Sequence, residues 1–116
     1  MGSLEDDLDY SLRLLRAVEP HEKYLTGIFE RAVAATAKAM IKFPQPNYVL
    51  TKVAEEAGEV VKAGVHYAEG RDFTWDDLEG ECVQTIAMCL RLLIEGDEVI
   101  GVKSPRAITG ETDGPC

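Results

Sequence analysis

The run from Cys82 to Ile94, CVQTIAMCLRLLI, restricts the fold of this 116-residue chain more than any other stretch. Only Gln84, Thr85 and Arg91 within it have polar side chains. On a helix, the apolar side chains of this run would therefore surround almost the whole circumference. Such a helix is either buried in a core or shared between subunits, so the sequence predicts oligomerisation through it.

The other helices are indicated by apolar periodicity and by residues typical of helix ends. Residues 4–18 predict a short amphipathic helix, and Pro20 suits the first turn of a second helix that runs to about Lys42. The prolines of KFPQPN interrupt the chain, and Asn47 is the expected N-cap of a third helix that continues to Glu69.

A fourth helix is expected from Trp75 to Glu95, with Thr74 and Asp77 as a capping box and Gly96 after its end. No segment alternates in the way that strands do. The predicted fold is therefore all-α, a small bundle of about four helices. One domain should span residues 1–116, with a core over about 20–96 and an extended arm or tail at 97–116.

The charge is concentrated in the centre of the chain. The whole sequence has a formal net charge of -9, and residues 55–81 hold nine acids against two bases, a net of -7. This acidic centre would repel a nucleic-acid backbone and attract divalent cations, so we expect no nucleic-acid partner. No apolar run approaches the roughly 20 residues of a membrane span, and no membrane partner is expected.

The cysteines favour a reducing compartment. On one helix, Cys82 and Cys89 would lie about 10 Å apart along the axis, too far for a disulfide. We therefore expect both to be free core residues in a cytoplasmic protein, whereas the terminal Cys116 indicates nothing.

The stretch KVAEEAGEVVKAG places Glu55, Glu56 and Glu59 on or beside the polar face of the third helix. One interpretation is a solvent-exposed face, with Lys52 paired to Glu56 and Lys62 to Glu59. The other interpretation is one half of a metal site that a second helix completes. The third helix alone favours the exposed face.

The fourth helix favours the metal site. Its Asp77, Glu81 and Gln84 fall within about 60° of one another. A carboxylate entering so apolar a helix is costly unless it is paired or bound to a metal. If the third and fourth helices lie antiparallel, Glu56 and Glu59 could share oxygen ligands with these side chains, and such ligands suit Mg²⁺ or Mn²⁺.

These two motifs resemble the all-α nucleoside triphosphate pyrophosphohydrolases of the MazG type. That family has E-E-x-x-E on one helix and E-x-x-D on the next, which correspond here to EEAGE and ECVQ over roughly residues 24–95. Gln84 stands where the family pattern has aspartate, so one metal position should be weaker. Asp77, one turn earlier, is a possible substitute for the missing charge, although its capping role competes.

The resemblance implies Mg²⁺-dependent hydrolysis of a nucleoside triphosphate to a monophosphate and pyrophosphate, in a homodimer or homotetramer. It implies metal ligands at Glu56, Glu59 and Glu81, assisted by Gln84 or Asp77, and a base or water-orienting group at Glu55. Lys52 is the first choice of cation for the phosphates, and Arg91 and Lys103 are weaker choices.

Two alternatives stay open. One is a helical homo-oligomer that binds a nucleotide or a protein partner without turnover, with Gln84 marking the lost charge. The other is a phosphoribosyl-ATP pyrophosphohydrolase, which has carboxylate-bearing helices of the same sort.

Overall fold

The computed structural model of the protein describes residues 3–108, which are mainly helical. The elements are α1 (Leu4–Val18), a 3-10 turn (Glu19–His21), α2 (Glu22–Lys42), α3 (Val49–Ala68) and α4 (Trp75–Glu95). The described residues contain no strand, only an isolated bridge between Asp97 and Val102. The predicted all-α class is therefore confirmed. Cys116 and the other residues after 108 lie outside the described part.

Most helix ends follow local sequence signals. Pro20, expected in the first turn of the second helix, lies instead in the 3-10 turn, and α2 begins at Glu22. Thr74 and Asp77 form the predicted capping box at the start of α4, and Gly96 follows its last residue. The prediction of Asn47 as the N-cap of α3 is wrong, because Tyr48 occupies that position and makes no side-chain capping bond.

The chain forms two compact units, and the boundary between them lies within α2. The first, Met1–Glu30, contains α1, the 3-10 turn and the start of α2. None of the α1 side chains is buried. The second unit begins at Arg31 and contains the remainder of α2 together with α3 and α4. The prediction of one domain with a core over residues 20–96 stays a prediction.

The core of the second unit is built from small and medium-sized side chains, with α3 packed against α4. The Thr36 hydroxyl of α2 donates to the carbonyl of Ala32 at 2.7 Å and lies 3.2 Å from the carbonyl of Ala87 on α4. Thr36 is buried, and these two carbonyls satisfy its hydroxyl in place of water. The contact thereby links α2 to the backbone of α4. The buried residues within 3–108 are Ala32, Thr36, Val49, Ala63, Val83, Ala87, Met88, Arg91, Gly96 and Asp97.

The chain after α4 turns back on itself. Gly96 has a φ of +73°, and a Cβ at this position would lie 2.2 Å from the carbonyl oxygen of Val102, so only glycine fits. Asp97 and Val102 exchange two backbone hydrogen bonds of 2.9 Å, and the Ser104 hydroxyl donates to the Leu93 carbonyl at 2.7 Å. Residues 97–104 are thus held against the end of α4, and the arm or tail expected over 97–116 stays a prediction.

None of the helices within residues 3–108 combines the length and the apolar character needed to cross a membrane.

Candidate functional site

The acidic cluster comprises Glu55, Glu56 and Glu59 on α3 and Glu81 on α4. Glu55 and Glu59 are exposed, whereas Glu56 and Glu81 are half-buried. The helices bring the two sequence motifs together because α3 and α4 pack against each other. The half-buried pair therefore marks where the two motifs meet.

Glu56 is the electrostatic centre of this cluster. Its pKa lies above the ordinary value of 4.5, first because burial disfavours the ionised carboxylate and then because Glu81 and Glu59 repel its charge. Lys52 lowers the pKa by a smaller amount, and Glu55 raises it slightly. Residues of both motifs therefore act on one carboxylate, and the repulsion among them is only partly offset by one cation.

The exposed-face interpretation included two ion pairs along α3, and Glu55 and Glu59 are indeed exposed. Within the described part of the chain, neither Lys52 with Glu56 nor Lys62 with Glu59 forms an ion pair. Instead, the Lys52 ammonium lies 5.6 Å from the centre of the Phe43 ring. Lys52 therefore offsets the charge of Glu56 only partly, and without a direct ion pair.

The fit of this cluster to a metal ion is partial. Among residues 3–108, no group of three or more Asp, Glu, His or Cys side chains is arranged so that it could hold a metal. Magnesium, however, is often held by one or two carboxylates together with phosphate oxygens of a substrate rather than by an all-protein cage. Glu56 and Glu81, the half-buried pair, are the donors that suit this mode.

The two assisting ligands are placed differently from the cluster acids. The Asp77 carboxylate accepts a 2.7 Å hydrogen bond from the backbone N–H of Thr74, which commits it to the capping box. Gln84 is exposed and lines a groove between α2 and α4, together with Gly80 and Val83. The Asp77 charge is not among those that act on Glu56.

Of the three predicted phosphate-binding cations, only Lys52 lies beside the acidic cluster. Arg91 is fully buried; its guanidinium bonds to Glu95 at 2.5 Å and donates to the carbonyl of Phe43. Lys103 lines a cavity of about 570 Å³ with Glu95 and Glu98. Arg91 is ten residues beyond Glu81 on α4, about 15 Å along the helix axis.

Two basic side chains on α2, Arg31 and Lys38, were not singled out from the sequence. Both line the same groove as Gln84. A signal was present, since residues 31–54 contain four basic residues and no acid in a chain of net charge -9. Its meaning depends on which face of α2 meets α4, and the sequence does not specify that.

Comparisons with protein-family models, with curated proteins and with solved structures found no match. The likeness to the pyrophosphohydrolases therefore rests on the two acidic motifs and on the helices that bear them.

Proposed function

We propose that the protein is a Mg²⁺-dependent nucleoside triphosphate pyrophosphohydrolase that converts (d)NTP to (d)NMP and pyrophosphate, and so removes unwanted nucleotides. The observation that carries this proposal is the half-buried Glu56, whose raised pKa reflects burial and the nearby charges of Glu81 and Glu59. Carboxylates held together against their own repulsion are expected where a cation binds.

In this proposal, the half-buried Glu56 and Glu81 would hold Mg²⁺, or Mn²⁺ in its place, jointly with the phosphates of the substrate, and the exposed Glu59 is the third expected ligand. Asp77 and Gln84 are the weaker contributors, the first because of its capping bond and the second because it is uncharged. The ion, when bound, neutralises phosphate charge and lowers the pKa of the attacking water.

Glu55 is the proposed base. It is exposed, adjacent to Glu56 in sequence, and close enough to affect the Glu56 charge. An exposed carboxylate beside the metal ligands can accept a proton from the water that attacks the α-phosphorus. Lys52, which partly offsets the charge of Glu56, is the first candidate for contact with the phosphates.

A second copy of this chain is the proposed partner of α4, giving a homodimer or homotetramer. Ile86, Leu93 and Ile94 are 37%, 68% and 42% exposed, so among the described residues, 3–108, nothing fully covers this side of the apolar helix. Cys82 and Cys89 are free, but Cys82 is half-buried and Cys89 exposed, so neither is the core residue expected from the sequence. Free cysteines and a nucleotide substrate both favour the cytoplasm as the location of the protein.

One observation favours a second candidate function. The absence of a preformed metal-holding group among residues 3–108, together with the uncharged Gln84, also suits a homo-oligomer that binds nucleotides without hydrolysing them. Metal-dependent turnover separates the two functions.

The deciding measurement is pyrophosphate release from a panel of ribo- and deoxynucleoside triphosphates and phosphoribosyl-ATP, with Mg²⁺ and with EDTA. We expect release only with Mg²⁺. Glu55→Gln should lower kcat by about 100-fold or more, the usual contribution of a general base. Glu59→Gln should lower kcat/KM and raise the Mg²⁺ concentration needed for half-maximal rate.

Glu30→Gln is the matched control, because Glu30 is an exposed helical acid outside the acidic cluster. Its activity should equal that of the wild type. Release that persists in EDTA and in Glu59→Gln would refute the proposal. A folded wild-type protein that binds nucleotides but releases no pyrophosphate would support the binding protein instead.

A further inference from the structure

The groove between α2 and α4 has a volume of about 300 Å³ and lies wholly within the unit that begins at Arg31. It exists because small residues face one another across it, Ala34 and Ala35 on α2 and Gly80 on α4. A Cβ added to Gly80 would have no neighbour within 4 Å, so there is open space above this turn. The two helices therefore leave a groove between them that is lined in part by small side chains.

The charge of this groove is opposite to that of the protein. Its lining contains Arg31 and Lys38 and no acid; Arg31 is paired with Glu79 outside the lining, so Lys38 carries the uncompensated charge, in a chain of net charge -9. By contrast, the cavity at Lys103 has two acids and one base, and another, between Glu19 and Glu30, has three acids and one base. A local excess of positive charge attracts anions and repels divalent cations.

The polar side chains of the groove are available to a ligand. Lys38 forms no ion pair with any residue in the described range, and its three ammonium donors can turn toward an anion. Arg31 pairs with Glu79 through one terminal nitrogen, Nη1, of a guanidinium that has five N–H donors. The exposed Gln84 offers two further amide donors.

The groove is adjacent to the acidic cluster. Gly80 and Gln84 line the groove, and Glu81, which lies between them in sequence, is close enough to Glu56 to affect its charge. The same turn of α4 thus contributes to both sites. Arg31 and Lys38 are seven residues apart, about 10 Å along the α2 axis, so they would contact different phosphates of an extended chain.

We propose that this groove binds the polyphosphate chain of the nucleotide, with Lys38 and Arg31 as the cations and Gln84 as a neutral donor. The assignment rests on the proposed function for the identity of the anion. It makes Gln84 a donor to phosphate in place of the weak metal contact that the resemblance implies, since an aspartate there would repel phosphate and pair with the cations. The α phosphate can then approach the acidic cluster while the outer phosphates lie over α2.

The test is isothermal titration calorimetry with inorganic tripolyphosphate in EDTA, where neither metal nor turnover contributes. The wild type should bind. Lys38→Met should bind about tenfold more weakly, the usual scale for one charge-assisted contact, and Lys38→Arg should restore most of the affinity. Gln84→Asp should also weaken binding, and added salt should weaken the wild type.

Lys23→Met is the matched control, because it removes the same charge from an exposed position on the same helix. Its affinity should equal that of the wild type, and circular dichroism should show all variants folded. In the nucleotide assay, Lys38→Met should raise KM with little change in kcat.

Equal affinity of the wild type and Lys38→Met, or no binding of tripolyphosphate by the folded wild type, would overturn the assignment. The two proposals fail separately. Mg²⁺-dependent hydrolysis with an unchanged KM in Lys38→Met would refute the groove as the polyphosphate site and support the proposed enzyme. Tripolyphosphate binding that depends on Lys38, without hydrolysis of any nucleotide, would support the groove as an anion site and refute the proposed enzyme.

Discussion

Arg91 illustrates how burial changes the meaning of a single residue. In the sequence it is a cation on an otherwise apolar helix, and it was a candidate for phosphate contact. In the structure its guanidinium is fully buried between Glu95 and the carbonyl of Phe43, 48 residues earlier in the chain. Binding a phosphate would require both partners to be released.

Replacing Arg91 with methionine should therefore reduce stability more than substrate binding. We expect Arg91→Met to lower the free energy of unfolding by about 3 kcal/mol, because the Glu95 carboxylate and the Phe43 carbonyl lose a buried partner. Urea unfolding measures this change. Lys62→Met, at an exposed position without an ion pair in the described residues, should change stability by less than about 0.5 kcal/mol. If Arg91→Met is as stable as the wild type but no longer binds nucleotides, Arg91 would instead be a residue that contacts the substrate.

Glu56 should make stability depend on pH. Its pKa is raised in the folded state, so folding favours the protonated form, and the stability gained below pH 4.5 is lost as pH rises through the raised pKa. Glu56→Gln should therefore be more stable than the wild type at pH 7, by less than about 1 kcal/mol because the carboxylate is partly solvated.

Thermal unfolding between pH 4 and pH 8 tests this expectation. The difference between Glu56→Gln and the wild type should vanish toward pH 4, and Mg²⁺ should stabilise the wild type more than the variant. Glu30→Gln should show neither effect. A Glu56→Gln protein that is less stable at every pH would mean that the carboxylate has a structural partner instead of repelling neighbours.

At the scale of elements, the starts of α3 and α4 differ in where their caps come from. Thr74 and Asp77 cap α4 from within its own first turn, with bonds of 3.1 and 2.7 Å. The start of α3 is capped from a distance, because the Asp97 carboxylate accepts the backbone N–H of Leu50 at 3.0 Å. Its other oxygen accepts the N–H groups of Val99 and Ile100, so one buried side chain organises both a helix start and the turn after α4.

Asp97→Ala should consequently cost more than the loss of an ordinary cap. Substitution of a capping side chain costs about 0.5–2 kcal/mol, and here two N–H groups of the turn lose their acceptor as well. We expect a loss of at least about 2 kcal/mol in urea unfolding. Asn47→Ala is the control, since Asn47 does not cap α3, and it should change stability by less than about 0.5 kcal/mol. A larger loss of stability in Asn47→Ala than in Asp97→Ala would show instead that Asn47 caps α3.

For the whole molecule, the main unexplained feature is the side of α4 that faces away from the core, because apolar side chains are exposed there. Val83, Ala87 and Met88 are buried on one side, whereas Ile86 and Leu93 are exposed on another. A helix with apolar residues on both sides suits a second copy of the chain better than solvent.

We expect a mass of two or four times 12.7 kDa by size-exclusion chromatography with light scattering. Leu93→Glu should shift this mass toward that of the single chain, because a carboxylate in an apolar interface is desolvated without a partner. Leu4→Glu, at an exposed leucine on α1, should leave the mass unchanged. A wild-type protein that is monomeric at high concentration would contradict the expected assembly.

The sequence by itself determined the helices and the start of α4, because helix periodicity and the capping box depend on residues within four positions of one another. It did not determine the cap of α3, which Asp97 supplies from 47 residues away. It also identified the two acidic motifs. The tertiary structure decided which side chains meet: Asp97 with Leu50, Arg91 with Phe43, and Arg31 with Glu79 are separated by 47 or 48 residues. Such pairs depend on which faces of the helices pack together, and no local pattern in the chain specifies that choice. The groove of Arg31 and Lys38 beside the acidic cluster is a product of that packing.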